Sequence, residues 1–232
     1  MKRIGIVQSN YIPWKGYFDI IRAVDEFILY DDAQFTKNDW RNRNKLKTAK
    51  GATWLTIPVG AHIHRRICDV ELDDPSWQRK HWQAIWDWYA TTPHFDRYAK
   101  FFAELYLDRQ WTHLSDLNQF LIKAIARDFL GVRTEFADSR SIAPVGTRQD
   151  RLLDLLQRVG ASSYVSGPAA KDYIEPDRFA AAGIELVWKS YEGYPEYAQR
   201  FPPFEHGVSI VDLLFNTGPS APGYIWGWRE KE

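Results

Sequence analysis

"RIGIVQSNYIPWKGYFDIIRAVDEFILYDD", residues 3–32, decides the fold class. Arg3 to Gln8 form a short apolar run of strand type, and Phe18, Ile20, Ile21 and Val24 in the following GYFDIIRAVD share one helical face. EFILYDD, residues 26–32, returns as a second strand. Strand, helix and strand within about 30 residues make a parallel crossover unit.

The connection inside this unit carries more chemistry than a turn requires. A strand-to-helix link needs a turn residue and a cap, yet Gln8, Asn10, Tyr11, Trp14 and Tyr17 crowd around Pro13 and Gly16. Placed beyond the carboxyl end of a first strand, they predict the wall of a ligand cleft. Tyr11 and Trp14 would stack on a flat or sugar ring, Gln8 and Asn10 would orient it, and Gly16 would let the backbone approach.

Downstream, a polar segment from Ala33 to Gly51 precedes ATWLTIPV, a third strand closed by Pro58 and Gly60. From about residue 74 to 131 the pattern is helical. SWQRKHWQAIWDWYATT opens with Ser76 as its expected cap and spaces Trp82, Ile85, Trp86 and Tyr89 as a helix does, and Gly131 ends the segment as a C-cap. After Thr134 the strands TEFADSRSI, SSYVSG and IELVWKSY alternate with the helices RQDRLLDLLQRVG and AAKDYI. The expected architecture is one α/β domain over 1–232, a doubly wound, mostly parallel sheet with a helical insert at about 74–131.

Composition narrows the function classes. Lys and Arg total 30 and Asp and Glu total 30, so no overall charge grips nucleic acid or an anionic membrane, and any anion site is local. A single cysteine, Cys68, excludes an intrachain disulfide, and the short apolar run after MKR is neither a signal peptide nor a spanning helix. These features point to a cytoplasmic protein with no transmembrane segment and no nucleic-acid partner. Aromatic residues make up 16% of the chain, with 11 Trp, more than a core ordinarily hides, which favours a small-molecule or sugar substrate. The aromatic helices from Trp77 to Tyr106 are also compatible with a subunit interface in an oligomer.

Several residues are candidates for chemistry. Asp31 closes the second strand, and the segment after it mixes the donors Gln34, Lys37, Arg41, Asn42 and Arg43 with Phe35 and Trp40. Such donors suit carboxylate or phosphate oxygens. His81, on the aromatic helix, and Asp31 are the expected proton acceptors for an attacking amine or hydroxyl. Asp212 interrupts an apolar helical run that Asn216 and Gly218 end; if buried, it is expected to clamp the region of Asn42 and Arg43. HIHRRICD, residues 62–69, places two histidines on one side of a strand but supplies no third ligand at a definite spacing, so no metal is expected. Nucleophile-elbow, phosphate-loop and dinucleotide glycine patterns do not occur, which leaves positioning and proton transfer as the expected means of catalysis.

Three stretches carry a resemblance: QSNYIPWKGYFDIIRAVDEFILYDDAQFTKNDWRNRNKLK (8–47), WLTIPV (54–59) and FEHGVSIVDLLFNTGP (204–219). With them the chain resembles the WbqC-like protein family of bacteria over essentially its whole length. Members occur in surface-polysaccharide (O-antigen) gene clusters. The resemblance implies a transferase that forms an amide or ester from an activated donor, for example by placing an amino acid such as glycine on a sugar. A weaker likeness of fold links the first strand and its loop to nucleotidylyltransferases and pantothenate synthetase. Those enzymes place a His motif where this chain has Trp14, Lys15, Gly16 and Tyr17, so ATP or another nucleotide enters as an expected cofactor by analogy only. The rival expectations are a protein that binds a nucleotide or glycan without reacting, and a scaffolding subunit.

Overall fold

The computed structural model describes residues 1–229. The first strand, β1 (Arg3–Val7), leads to α1 (Lys15–Arg22) and β2 (Glu26–Leu29), and β1 and β2 pair in parallel with Ile4 opposite Glu26 and Val7 opposite Leu29. The crossover unit is therefore present as the alternation of residues demands. Ile4, Ile6 and Ile28 face one side of the sheet, while Phe27 and Leu29 face the other.

The next two strands leave the sheet. β3 (Arg43–Thr48) and β4 (Gly51–Thr56) form a separate antiparallel hairpin, turned at Gly51 with φ 96°. The strand expected at ATWLTIPV is present as β4, but it pairs outside the main sheet, and its partner RNKLKT lay unrecognised in the polar segment. Its charges concealed the alternation: Asn44, Leu46 and Thr48 are buried, and Lys47 is buried with them.

The helical layer follows as α2 (Ser76–Tyr89), α3 (Phe95–Ala103) and α4 (Leu114–Ala124); α3 and α4 each run on into a wider π-helical turn. Pro75 rather than Ser76 caps α2, and the Asp74 carboxylate takes both the Ser76 N–H and hydroxyl at 2.8 Å. Helical spacing placed Trp86 with Ile85 and Tyr89, but Trp86 is 48% exposed; Trp77, Gln78 and His81 complete the buried face. Gly131 ends the layer with φ 67°, a conformation that favours glycine.

The chain then returns to the sheet through β5 (Glu135–Asp138), α5 (Ser139–Ile142), α6 (Arg148–Arg158), β6 (Ser163–Ser166), α7 (Pro176–Ala181) and β7 (Glu185–Trp188), and α8 (Ile210–Thr217) follows. The five sheet strands lie in the order β5-β2-β1-β6-β7, each pair parallel. Two cores result. On one face Tyr164, Leu155, Leu156 and Phe179 pack on Ile4 and Ile6; on the other, α1, α8 and the helical layer bury Phe18, Phe27, Phe102 and Phe215. A sheet covered on both faces presents its ligand sites at strand ends.

Candidate functional site

Moving outward along the sheet order, the chain reaches the strands on one side of β1 before β6, and those on the other side after it, so the order reverses between β1 and β6. Connections leave the two carboxyl ends in opposite directions there and open a crevice. A cavity of about 1240 Å³ occupies that position. Gln8, Asn10, Trp14 and Tyr17 line it from the β1 side, and Ser166, Gly167 and Pro168 from the end of β6. Thr147, Arg148 and Gln149 at the start of α6 line a further side, with Tyr30, Tyr164, Tyr173 and Tyr191.

Local chemistry explains the rigid parts of this wall. Trp14 caps α1 in extended conformation, and its indole lies across Gly16, where a Cβ would fall 2.2 Å from a ring atom. Gly16 thus serves the tryptophan and does not line the cavity. The Trp14 ring meets Tyr191 edge-on at 5.3 Å between centroids. Tyr191 belongs to the segment after β7, which is held by the buried Asp19 carboxylate. Asp19 accepts from Lys189 at 2.8 Å, Tyr194 at 2.5 Å and Arg229 at 2.8 Å. Burial pushes the Tyr191 phenol well above its ordinary value and Tyr164 up to about 12, so both remain neutral hydrogen-bonding rings.

Lys15, the first residue of α1, is buried with its ammonium 4.9 Å from the Tyr194 ring centre and 5.4 Å from that of Tyr197. Burial lowers its amine to about 8. The contacts fasten the same segment from the other side.

Arg41 stands behind the wall and does not line it. Its guanidinium donates to Gln8 Oε1 at 2.6 Å and to Asn10 Oδ1, and Asp39 lies 3.6 Å away. The Tyr17 hydroxyl donates to the Gln8 carbonyl at 3.0 Å, and Tyr11 N–H to the Trp40 carbonyl at 2.9 Å, so the loop is fixed along its length.

The remaining candidates are not brought to the cavity. Tyr11 is fully buried, hydrogen-bonded to His81 Nδ1 at 2.8 Å and to Tyr106, so it cannot stack on a ligand. His81 is 4% exposed and donates from Nε2 to the Thr56 carbonyl at 3.1 Å; burial lowers its pKa to about 4 and keeps the ring neutral. Asp31 is fully buried and accepts from Ser9 N–H at 2.8 Å, Ser115 Oγ at 2.6 Å and Gln119 Nε2 at 3.0 Å. Neither stands at the wall with a free lone pair, and the proton-acceptor roles expected of them find no support in this geometry.

Asn42 donates to the Ile57 carbonyl at 2.8 Å, and Arg43 stacks over Trp54 at 4.1 Å, both away from the cavity. Gln34 and Lys37 are exposed elsewhere. Asp212 is buried as the sequence allowed, but its partners are Tyr89 at 3.0 Å, Tyr197 at 2.7 Å and Gln199 at 2.9 Å, not Asn42 or Arg43. Its burial raises the carboxyl above its ordinary value. Asn216 donates back along its helix to the Asp212 carbonyl at 2.8 Å.

Sequence reasoning missed the β6 and α6 side of the cavity. The signal was present, since SSYVSG ends a strand as RIGIV does, and the rule that placed Gln8 applies equally to Ser166 and Gly167. His62 and His64 stand with ring centres 6.3 Å apart on an exposed loop, and among the described residues no group of three or more His, Cys, Asp or Glu is placed to hold a metal ion. Among them, too, no helix is long and apolar enough to cross a membrane.

Comparison with known proteins agrees with the motifs at both ends. The model of the WbqC-like protein family matches residues 8–224, from the first wall residue to the turn after α8. The uncharacterized protein Rv1507c of Mycobacterium tuberculosis (strain ATCC 25618 / H37Rv) is 45% identical over 227 residues, covering 97% of this chain and 98% of its own. No solved structure matches the chain. On the family match and this relative together, the chain belongs to the WbqC-like protein family.

Proposed function

We propose that the protein is a small-molecule transferase whose activated donor, a nucleotide or nucleotide-linked sugar, occupies the cavity between the carboxyl ends of β1 and β6. The observation that carries this reading is the position of the cavity at the reversal of strand order, where parallel α/β sheets bind nucleotides. On this reading the sheet is a relative of the nucleotidylyltransferase-like, Rossmann-type folds. Its aromatic wall supports a base or sugar ring: Trp14 and Tyr191 line the cavity and meet each other edge-on, and their indole N–H and phenol hydroxyl are polar handles. Transfer of an acyl or aminoacyl group to a sugar, as in surface-polysaccharide assembly, fits a cavity large enough for donor and acceptor together.

Catalysis would come mainly from holding the two substrates in register. The carboxylates on the wall are Asp150, paired with Arg178, and Glu175, which accepts from Gln149 at 3.0 Å. They are the available acceptors for the proton lost by an attacking amine.

A second reading is a protein that binds the same ligand without reacting. It is favoured by the location of His81, the one histidine on the aromatic helix, outside the cavity and locked in a neutral form. A thermal-shift screen with nucleoside diphosphates, nucleotide sugars and acyl-adenylate analogues tests both, with Trp14→Ala and Tyr191→Ala beside the wild type. A ligand at a hundred times its Kd stabilises the fold by about 2.7 kcal/mol. Stabilisation lost in both variants, followed by product from donor and acceptor mixtures, is the expected outcome. Binding without product leaves the second reading, and no binding by any nucleotide class sinks the first.

A further inference from the structure

Arg41 has five N–H donors and no acceptor, so the side-chain atoms of Gln8 and Asn10 that face it must be their carbonyl oxygens. That settles the orientation of both amides. Their NH₂ groups point away from Arg41, and neither amide nitrogen has a hydrogen-bond partner among the described residues. Gln8 and Asn10 line the cavity and Arg41 does not. Behind the amides the guanidinium is largely shielded, its side chain 12% exposed, with Asp39 at 3.6 Å as a loosely placed counter-charge.

We propose that Gln8 Nε2 and Asn10 Nδ2 form a two-donor oxyanion site, oriented and polarised by Arg41, that takes a phosphate or carboxylate oxygen of the ligand. The inference takes the cavity as the ligand site, as in the proposed function, but does not depend on the reaction performed there. It moves anion recognition from Arg41 itself to the amides in front of it. Arg41 is then a positioning residue. Each amide, polarised through its oxygen by a cation, is a stronger donor than a free one. The wall therefore selects for acceptor groups and against ammonium groups at this point.

The test uses isosteric substitutions that keep the Arg41 contacts. Gln8→Glu and Asn10→Asp each replace the cavity-facing NH₂ with an oxygen and pair directly with the guanidinium, so the loop stays ordered. Binding of inorganic pyrophosphate, UDP, acetate and uncharged uridine is measured by calorimetry on wild type, both variants and Arg41→Ala. The expected result is weakening of the anionic probes by roughly tenfold or more in all three variants, with uridine little changed. Pyrophosphate binding above acetate assigns the site to phosphate; the reverse order assigns it to carboxylate. Wild-type affinity for the anions in Gln8→Glu and Asn10→Asp, or no anion binding by the wild type, overturns the proposal. Loss of anion binding in the variants, with no transfer product from any donor, keeps the oxyanion site and removes the transferase.

Discussion

The Tyr11 hydroxyl lies 2.8 Å from His81 Nδ1, joining the loop that follows β1 to the first helix of the inserted layer. With Nε2 donating to the Thr56 carbonyl, the ring carries its proton on Nε2 and accepts from Tyr11 through Nδ1. The inserted helices thus hold the cavity loop from behind. Tyr11→Phe leaves the Nδ1 lone pair buried without a donor, and the expected loss of stability is about 1–3 kcal/mol in denaturant melts. Unchanged stability would show that water or a ring shift satisfies the site.

The same histidine sets a pH dependence. Its folded pKa, about 4, lies below the ordinary 6.5, so the unfolded chain binds the proton more readily. The stability this contributes is fully present above pH 6.5 and is lost as pH falls toward about 4. The loss by then is on the order of 3 kcal/mol. His81→Gln retains one donor and one acceptor, and the slope of stability against pH in that window should flatten relative to wild type. Parallel curves for the two proteins would mean that His81 does not titrate with unfolding.

Asp31 is expected to be a structural carboxylate. Asp31→Ala leaves the Ser9 N–H and the Ser115 hydroxyl without their buried acceptor, while the Gln119 amide keeps its bond to Asp138 at 2.8 Å. A cost of about 1–3 kcal/mol is expected for each buried neutral donor left unpaired. Circular dichroism melts should register this loss wherever activity falls. A variant with wild-type stability and abolished turnover would return Asp31 to the reaction.

Gly16→Ala tests the Trp14 seat. The added methyl would meet the indole at 2.2 Å, and the ring must swing off the helix end because the opposing atoms belong to a side chain. Since Trp14 lines the cavity, ligand affinity should fall several-fold more than for an exposed helix substitution, with overpacking costing about 1–3 kcal/mol of stability. Near-equal affinity in calorimetry would remove Trp14 from the ligand wall.

Asp212 holds three donors from α2 and from the segment before α8. Asp212→Ala should lower the melting temperature by several degrees through the loss of these partners. Burial raises the native carboxyl above its ordinary value, so stability associated with its protonated form is present below the unfolded pKa and lost as pH rises through the folded one. A wild-type melt that steepens downward with pH in that range, and an Asp212→Ala melt that does not, is the expected contrast.

The sequence by itself determined the crossover unit. The apolar run of RIGIV, the buried face of α1 and the return through EFIL require no distant partner to be recognised, because strand and helix periods are local properties. It also determined that Gln8, Asn10 and Trp14 lie beyond a strand end. Tertiary structure decided everything that depended on which elements meet. RNKLKT became a strand only because GATWLT pairs with it, and its charges carry no hydrophobic period. Asp31, His81 and Tyr11 have residue types suited to catalysis or stacking, but partners 22 to 95 positions away in the chain occupy their polar atoms. Arg41 reads as a free phosphate binder until the fold sets it behind two amides, where it fixes the donors that face the cavity. Spacing along the chain reports local geometry, whereas hydrogen-bond saturation is a property of atoms brought together from distant segments.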